Sequence, residues 1–142
     1  MHLASLNSAE EQRDLQDHIQ AFGMGHEHFW TSGTDQGEEG KFFWMSTGKP
    51  VTYSNWNAGE PNNFEYEDGE QEHCLEMWDR DGKGLGWNDT PCSFQTFFIC
   101  EAWEISSAKN GRKIFLFNQP DELNFYLKQF YVYILFTILV CF

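Results

Sequence analysis

Trp56-Asn57-Ala58-Gly59-Glu60-Pro61-Asn62-Asn63, then Glu72-His73-Cys74, then Trp87-Asn88-Asp89-Thr90-Pro91-Cys92 are the stretches on which the reading of this chain turns. They carry side-chain oxygens on Glu60, Asn62, Glu72, Asn88 and Asp89. Calcium takes about six to eight oxygens from carboxylates, amides, backbone carbonyls and water, and these five residues are of the types it selects. A disulfide from Cys74 to Cys92 would hold two of the stretches together and would stabilise the short loop by roughly 3 kcal/mol on the chain-entropy model. A cis Pro61 would turn the Glu60 and Asn62 side chains toward one point. The plainer alternative is a turn-rich loop whose polar groups bond its own backbone.

The composition agrees with a hard-cation site and excludes other classes. The 142 residues suit one domain, and an aromatic content of 18% is that of a packed chain rather than a disordered one. A formal net charge of -13 repels phosphates and argues against nucleic acid as a partner. The charge is unevenly placed. Residues 1–101 carry 19 acidic and 5 basic side chains, whereas 102–142 carry 3 and 4, which sets a boundary near residue 101.

Outward from the three stretches, the N-terminal part predicts one amphipathic helix. Ser8-Ala9-Glu10-Glu11 reads as a capping box, Leu15, Ile19 and Phe22 follow at helical spacing, and Gly23 stops the run. Beyond residue 25 the helical period gives way to short aromatic stretches. Phe29-Trp30-Thr31, Phe42-Phe43-Trp44, Leu75-Glu76-Met77-Trp78 and Phe97-Phe98-Ile99 read as strands between turns. Ser46 to His73 has little periodicity and reads as an ordered functional loop around Trp56. The fold class expected is α+β, with short antiparallel strands, one or two helices and a long loop.

These motifs resemble the C-type lectin domain over residues 1 to about 101. His2-Leu3-Ala4-Ser5-Leu6 precedes the helix, Phe29-Trp30-Thr31-Ser32-Gly33 stands as the central strand, and Phe98-Ile99-Cys100-Glu101 closes the domain. Glu60-Pro61-Asn62 takes the place of the sugar-specificity triplet and Trp87-Asn88-Asp89 that of the calcium motif. The resemblance implies that Glu60, Asn62, Glu72, Asn88 and Asp89 ligate calcium. It implies that Glu60, Asn62, Glu72 and Asn88 also contact the sugar, a mannose-type glycan of mannose, fucose or N-acetylglucosamine. It further implies a Cys74–Cys92 disulfide and an extracellular, secreted protein acting in innate immunity on microbial surfaces. An auxiliary calcium would fall at Asp35, Glu39 and Asn63. There Asn63 and His73 stand where the family's acidic side chains would be, which weakens the site for a hard cation.

Several features stand outside this reading. Asp79-Arg80-Asp81-Gly82 resembles the start of an EF-hand loop, but Thr90 stands where the Glu is required, so it reads as a turn. His26-Glu27-His28 has no evident third metal ligand. No nucleophile arrangement stands out, and an enzyme is not expected. A protein-binding module that keeps the fold without sugar binding is the alternative function. The chain reads as lacking the family's first strand and first helix, and with them the usual partner of Cys100; only Cys141 remains as a substitute. Residues 130–142 are apolar but shorter than the roughly 20 residues needed to span a bilayer. That tail reads as an extension foreign to the domain, a marginal membrane segment or a lipid-anchor signal, which leaves membrane attachment as the alternative localisation. Oligomers are expected if single sites are weak.

Overall fold

The computed structural model describes residues 1–106 and 109–117. The apolar run at 130–142 and Cys141 lie outside the described residues. The helix α1 spans Ala9–Ala21, capped by the Ser8 hydroxyl, which accepts from the Glu11 N–H. The Glu11 carboxylate reaches back to the Asn7 N–H at 2.7 Å, one residue beyond an ordinary capping box. At the other end Gly23 takes φ +72°, and Met24 N–H returns to the Ile19 carbonyl at 3.2 Å. This turn lifts Phe22 off the apolar stripe and leaves it 64% exposed, against its expected place beside Leu15 and Ile19. Gln12 takes the buried place instead.

The strands are β1 (His2–Leu3), β2 (Phe29–Thr34), β3 (Phe43–Trp44), β4 (Lys49–Pro50), β5 (Cys74–Trp78), β6 (Gly86–Thr90), β7 (Phe97–Ser106) and β8 (Lys109–Phe117). All four aromatic stretches form or adjoin strands, as their β-branched and aromatic content predicts. β2 is the hub. It pairs antiparallel with β3 and β5 and parallel with β7, while β6 extends the sheet from β5. The fold is therefore α+β, with short antiparallel and mixed strands and a single helix among the described residues. β7 runs through position 101 and pairs with β8, and Ile114 and Leu116 pack against the core. Strand pairing thus continues past the change in composition.

The core lies between α1 and the sheet, with Leu15, Ile19, Phe29, Leu75, Met77 and Trp87 all 1% exposed or less. Gly33 lets β2, β3 and β5 meet closely. A Cβ there would stand 2.8 Å from the Leu75 Cβ and 3.2 Å from the Trp44 ring. The Cys74–Cys92 disulfide is formed, and Cys100 is buried and itself disulfide-bonded.

Candidate functional site

The long loop is built onto β6 through Trp87. Its ring is fully buried and meets Trp44, Tyr53 and Trp56 edge-on, each at a centroid distance of 5.6 Å. Its backbone closes two bonds with the loop, Trp87 N–H to the Asn55 carbonyl at 2.8 Å and Asn57 N–H to the Trp87 carbonyl at 2.9 Å. From the helix side, the Gln12 carbonyl oxygen accepts from the Trp87 indole at 2.8 Å, and its amide donates to the Leu85 carbonyl at 2.7 Å. Sequence reasoning missed Gln12. Its signal was position, three residues before Leu15 on the apolar stripe, where a polar residue needs buried partners.

The register of β5 against β6 decides which way the next residues face. Leu75 pairs with Asp89 and Glu76 with Asn88, so the two-residue period sends Asp89 and Asn88 to opposite faces. Asp89 is 1% exposed, and its two carboxylate oxygens accept the Asn62 N–H at 3.1 Å and the Asn63 N–H at 2.7 Å. Glu72, 4% exposed, accepts the Phe64 N–H at 3.0 Å and the Tyr66 hydroxyl at 3.3 Å. Its own N–H donates to Asn63 Oδ1 at 3.2 Å. The Glu60–Pro61 bond is cis, and the Asn62 amide donates to the Glu60 carboxylate. Glu60, Asn62, Glu72 and Asp89 are thus drawn together by the folding of one loop onto two carboxylates.

Asn88 is placed differently. Its amide nitrogen donates to Glu76 at 3.0 Å, and Glu76 is held from its other oxygen by His28 at 2.9 Å. His28, from the His-Glu-His run, is therefore engaged with a carboxylate. Arg80 is the second residue the sequence reading did not assign. Its guanidinium donates to the other Glu60 oxygen at 2.8 Å and to the Ala58 carbonyl at 3.2 Å. No sequence pattern marks it, since Arg80 sits in a turn read only as a failed EF-hand start and its partner is 20 residues away.

Burial pushes the Glu60 carboxyl above its ordinary range, and the neighbouring Asp89 charge adds to this against the pull of Arg80. Burial likewise raises Glu72, again with a contribution from Asp89, against the Phe64 N–H. The donor set therefore suits a hard divalent cation. Three crowded carboxylates and an amide offer oxygens, and the cation paired with them among the described residues is Arg80, at Glu60 alone.

Beside this loop the expected auxiliary positions separate. Asp35 and Glu39 gather around His73, whose Nδ1 lies 3.0 Å and 3.5 Å from their oxygens. Asn63 belongs instead to the loop bonded to Glu72 and Asp89.

The family profile described as Lectin C-type domain matches residues 1–102. Salivary C-type lectin 2 of the mosquito Aedes albopictus is 36% identical over 104 residues, which cover 70% of this chain and 66% of the relative. A C-type lectin mannose-binding isoform from the snake Oxyuranus scutellatus is 34% identical over 100 residues, covering 70% of this chain and 60% of the relative. The chain thus spans about two thirds or less of these relatives' length. Among solved structures, the human scavenger receptor C-type lectin carbohydrate-recognition domain superposes with a TM-score of 0.55 at 30% identity. That match covers 66% of this chain and 65% of the other. Such relatives are binding proteins rather than enzymes. With the helix, the mixed sheet and the loop on Trp87 in place, the chain belongs to the C-type lectin domain family.

Proposed function

We propose that this domain binds mannose-type glycans, those of mannose, fucose or N-acetylglucosamine, in a calcium-dependent manner. The observation that carries the reading is the clamp of residues 60–64 onto Asp89 and Glu72, which brings Glu60 and Asn62 to the same carboxylates. Glu60, Asn62, Glu72 and Asp89 would hold the ion, and Asn88, bonded to Glu76 on the opposite face of the strand, would join them by turning its side chain. When bound, calcium supplies a positive centre to which neighbouring sugar hydroxyl oxygens add. The carboxylates of Glu60 and Glu72 accept hydrogen bonds from those hydroxyls, and the amides of Asn62 and Asn88 donate to them. Each amide nitrogen carries two N–H groups, so the bonds to Glu60 and Glu76 leave a second donor on each. The name of the snake relative, a mannose-binding isoform, agrees with this choice of sugar.

We place the domain outside the cell, since a structural disulfide such as Cys74–Cys92 persists in oxidising compartments. Microbial surface glycans are the proposed target, bound through oligomers or repeated ligands because single shallow sites are weak. Retention on mannose-agarose with calcium, followed by elution with chelator, tests the reading. A folded domain that is not retained, or that chelator does not release, overturns it. A protein ligand is the second reading: the mouse low affinity immunoglobulin epsilon Fc receptor, named for a protein ligand, is 41% identical over 101 residues, which cover 70% of this chain and 26% of the receptor.

A further inference from the structure

We propose that Asp35, Glu39 and His73 form a separate metal site for a borderline transition cation of the zinc type, rather than an auxiliary calcium site. One ligand atom from each of the three lies within 4.8 Å of the others. His73 Nδ1 stands 3.0 Å from Asp35 Oδ1 and 3.5 Å from Glu39 Oε2. Zinc binds nitrogen and carboxylate oxygen at about 2.0–2.2 Å, so the edges of its tetrahedron measure about 3.3–3.6 Å. The 3.5 Å distance falls within that range and the 3.0 Å distance lies just below it, so small side-chain adjustments complete the geometry. Calcium, in contrast, gathers about six to eight oxygens at longer range, and an imidazole nitrogen is a poor member of such a shell. Imidazole with carboxylates suits zinc, copper or nickel.

The backbone holds two of the three groups in place. Asp35 is 1% exposed, its other carboxylate oxygen accepts the Gly40 N–H at 2.8 Å, and its own N–H donates to the His73 carbonyl at 3.2 Å. That carbonyl also accepts the Thr34 hydroxyl at 2.7 Å, beside the Thr34–Cys74 pair of β2 and β5. His73 is next in sequence to the disulfide-bonded Cys74. The Glu39 side chain is 53% exposed and free to close on the ion, and together with Asp35 and His73 it leaves one vertex of the tetrahedron for water. Three protein ligands with an open fourth position are a familiar zinc arrangement. The ordinary alternative for these groups is an ion-paired imidazole with no metal.

Calorimetric titration of the folded chain with zinc, in saturating calcium, separates the two. Wild type is expected to take up one zinc that calcium does not displace, and cobalt(II) in its place is expected to give the visible bands of a four-coordinate site. His73→Gln, at a half-buried position, is expected to weaken zinc by more than about tenfold, since even partners outside the ligand shell are worth about 10–100-fold. Glu39→Gln, at an exposed position that does not threaten folding, is expected to weaken it as well. Glu60→Gln, which removes mannose retention if the sugar reading is right, is expected to leave zinc binding unchanged. No zinc uptake by wild type, uptake unaltered by His73→Gln, or displacement of zinc by calcium overturns the proposal.

Discussion

Arg80 occupies one oxygen of Glu60, and any cation that needs that oxygen competes with it. The guanidinium is about half exposed, so the pair is worth at most about 1 kcal/mol after solvent screening. Arg80→Ala is therefore expected to tighten calcium binding by up to about fivefold in a calorimetric titration. Weaker binding in the variant would show instead that Arg80 positions Glu60. The same carboxylates set a pH dependence. Burial raises Glu60 and Glu72 above the ordinary glutamate value of 4.5, so between 4.5 and the raised values the metal-free fold holds protons that the unfolded chain has released. Their contribution to stability is then present at low pH and is lost as pH rises through the raised values. Calcium needs both deprotonated, so its affinity is expected to fall on acidification before pH reaches 4.5. Melting in chelator across this range, for wild type and for Glu60→Gln with Glu72→Gln, checks the sign: the double variant is expected to flatten the slope. An unchanged slope would remove both groups as its source.

At the scale of elements, α1 and β6 are tied through Gln12. Gln12→Leu would leave the Trp87 indole N–H and the Leu85 carbonyl buried without that partner. The Leu85 carbonyl keeps the Asn55 amide at 3.1 Å, so the indole N–H alone is left unsatisfied. That costs about 1–3 kcal/mol, and urea unfolding is expected to shift by about that amount at unchanged slope. Gly33→Ala tests the closeness of β2, β3 and β5. The added methyl meets Leu75 and Trp44, and overpacking of this kind costs about 1–3 kcal/mol. An equal or higher midpoint for either variant would contradict the packing described. The elements themselves were legible because their signals are local. Ser8 and Glu11 mark the helix start, Gly23 its end, and the aromatic runs the strands. Gln12 and Arg80 were not legible, because what they touch is 73 and 20 residues away. Asn88 was legible as a residue type but not in its partner. Its bond to Glu76 follows from the register of β5 and β6, which only pairing fixes.

For the whole molecule the governing fact is charge. Residues 1–101 hold 19 acidic side chains against 5 basic ones, and self-repulsion of that size opposes the compact state. Glu60, Glu72 and Asp89 concentrate the problem in one loop, where two of the three carboxylates are nearly out of water. An ion bound there by the folded chain alone stabilises it through mass action, by about 2.7 kcal/mol at a hundred times the dissociation constant. For a domain of this size that is a rise in melting temperature on the order of 10 °C. Any salt also screens the general repulsion, so the rise must be separated from an ionic-strength effect. Magnesium serves as the comparison, because it dehydrates reluctantly and demands a tighter octahedral shell than calcium does. Thermal melts in calcium, in equimolar magnesium and in sodium chloride of matched ionic strength are therefore expected to rank calcium well above the other two. The gap is expected to close in Glu60→Gln with Glu72→Gln while the small common rise survives. Equal melting temperatures in the three salts would mean that the acidic loop is stabilised by screening alone, with no calcium held at Glu60, Glu72 and Asp89.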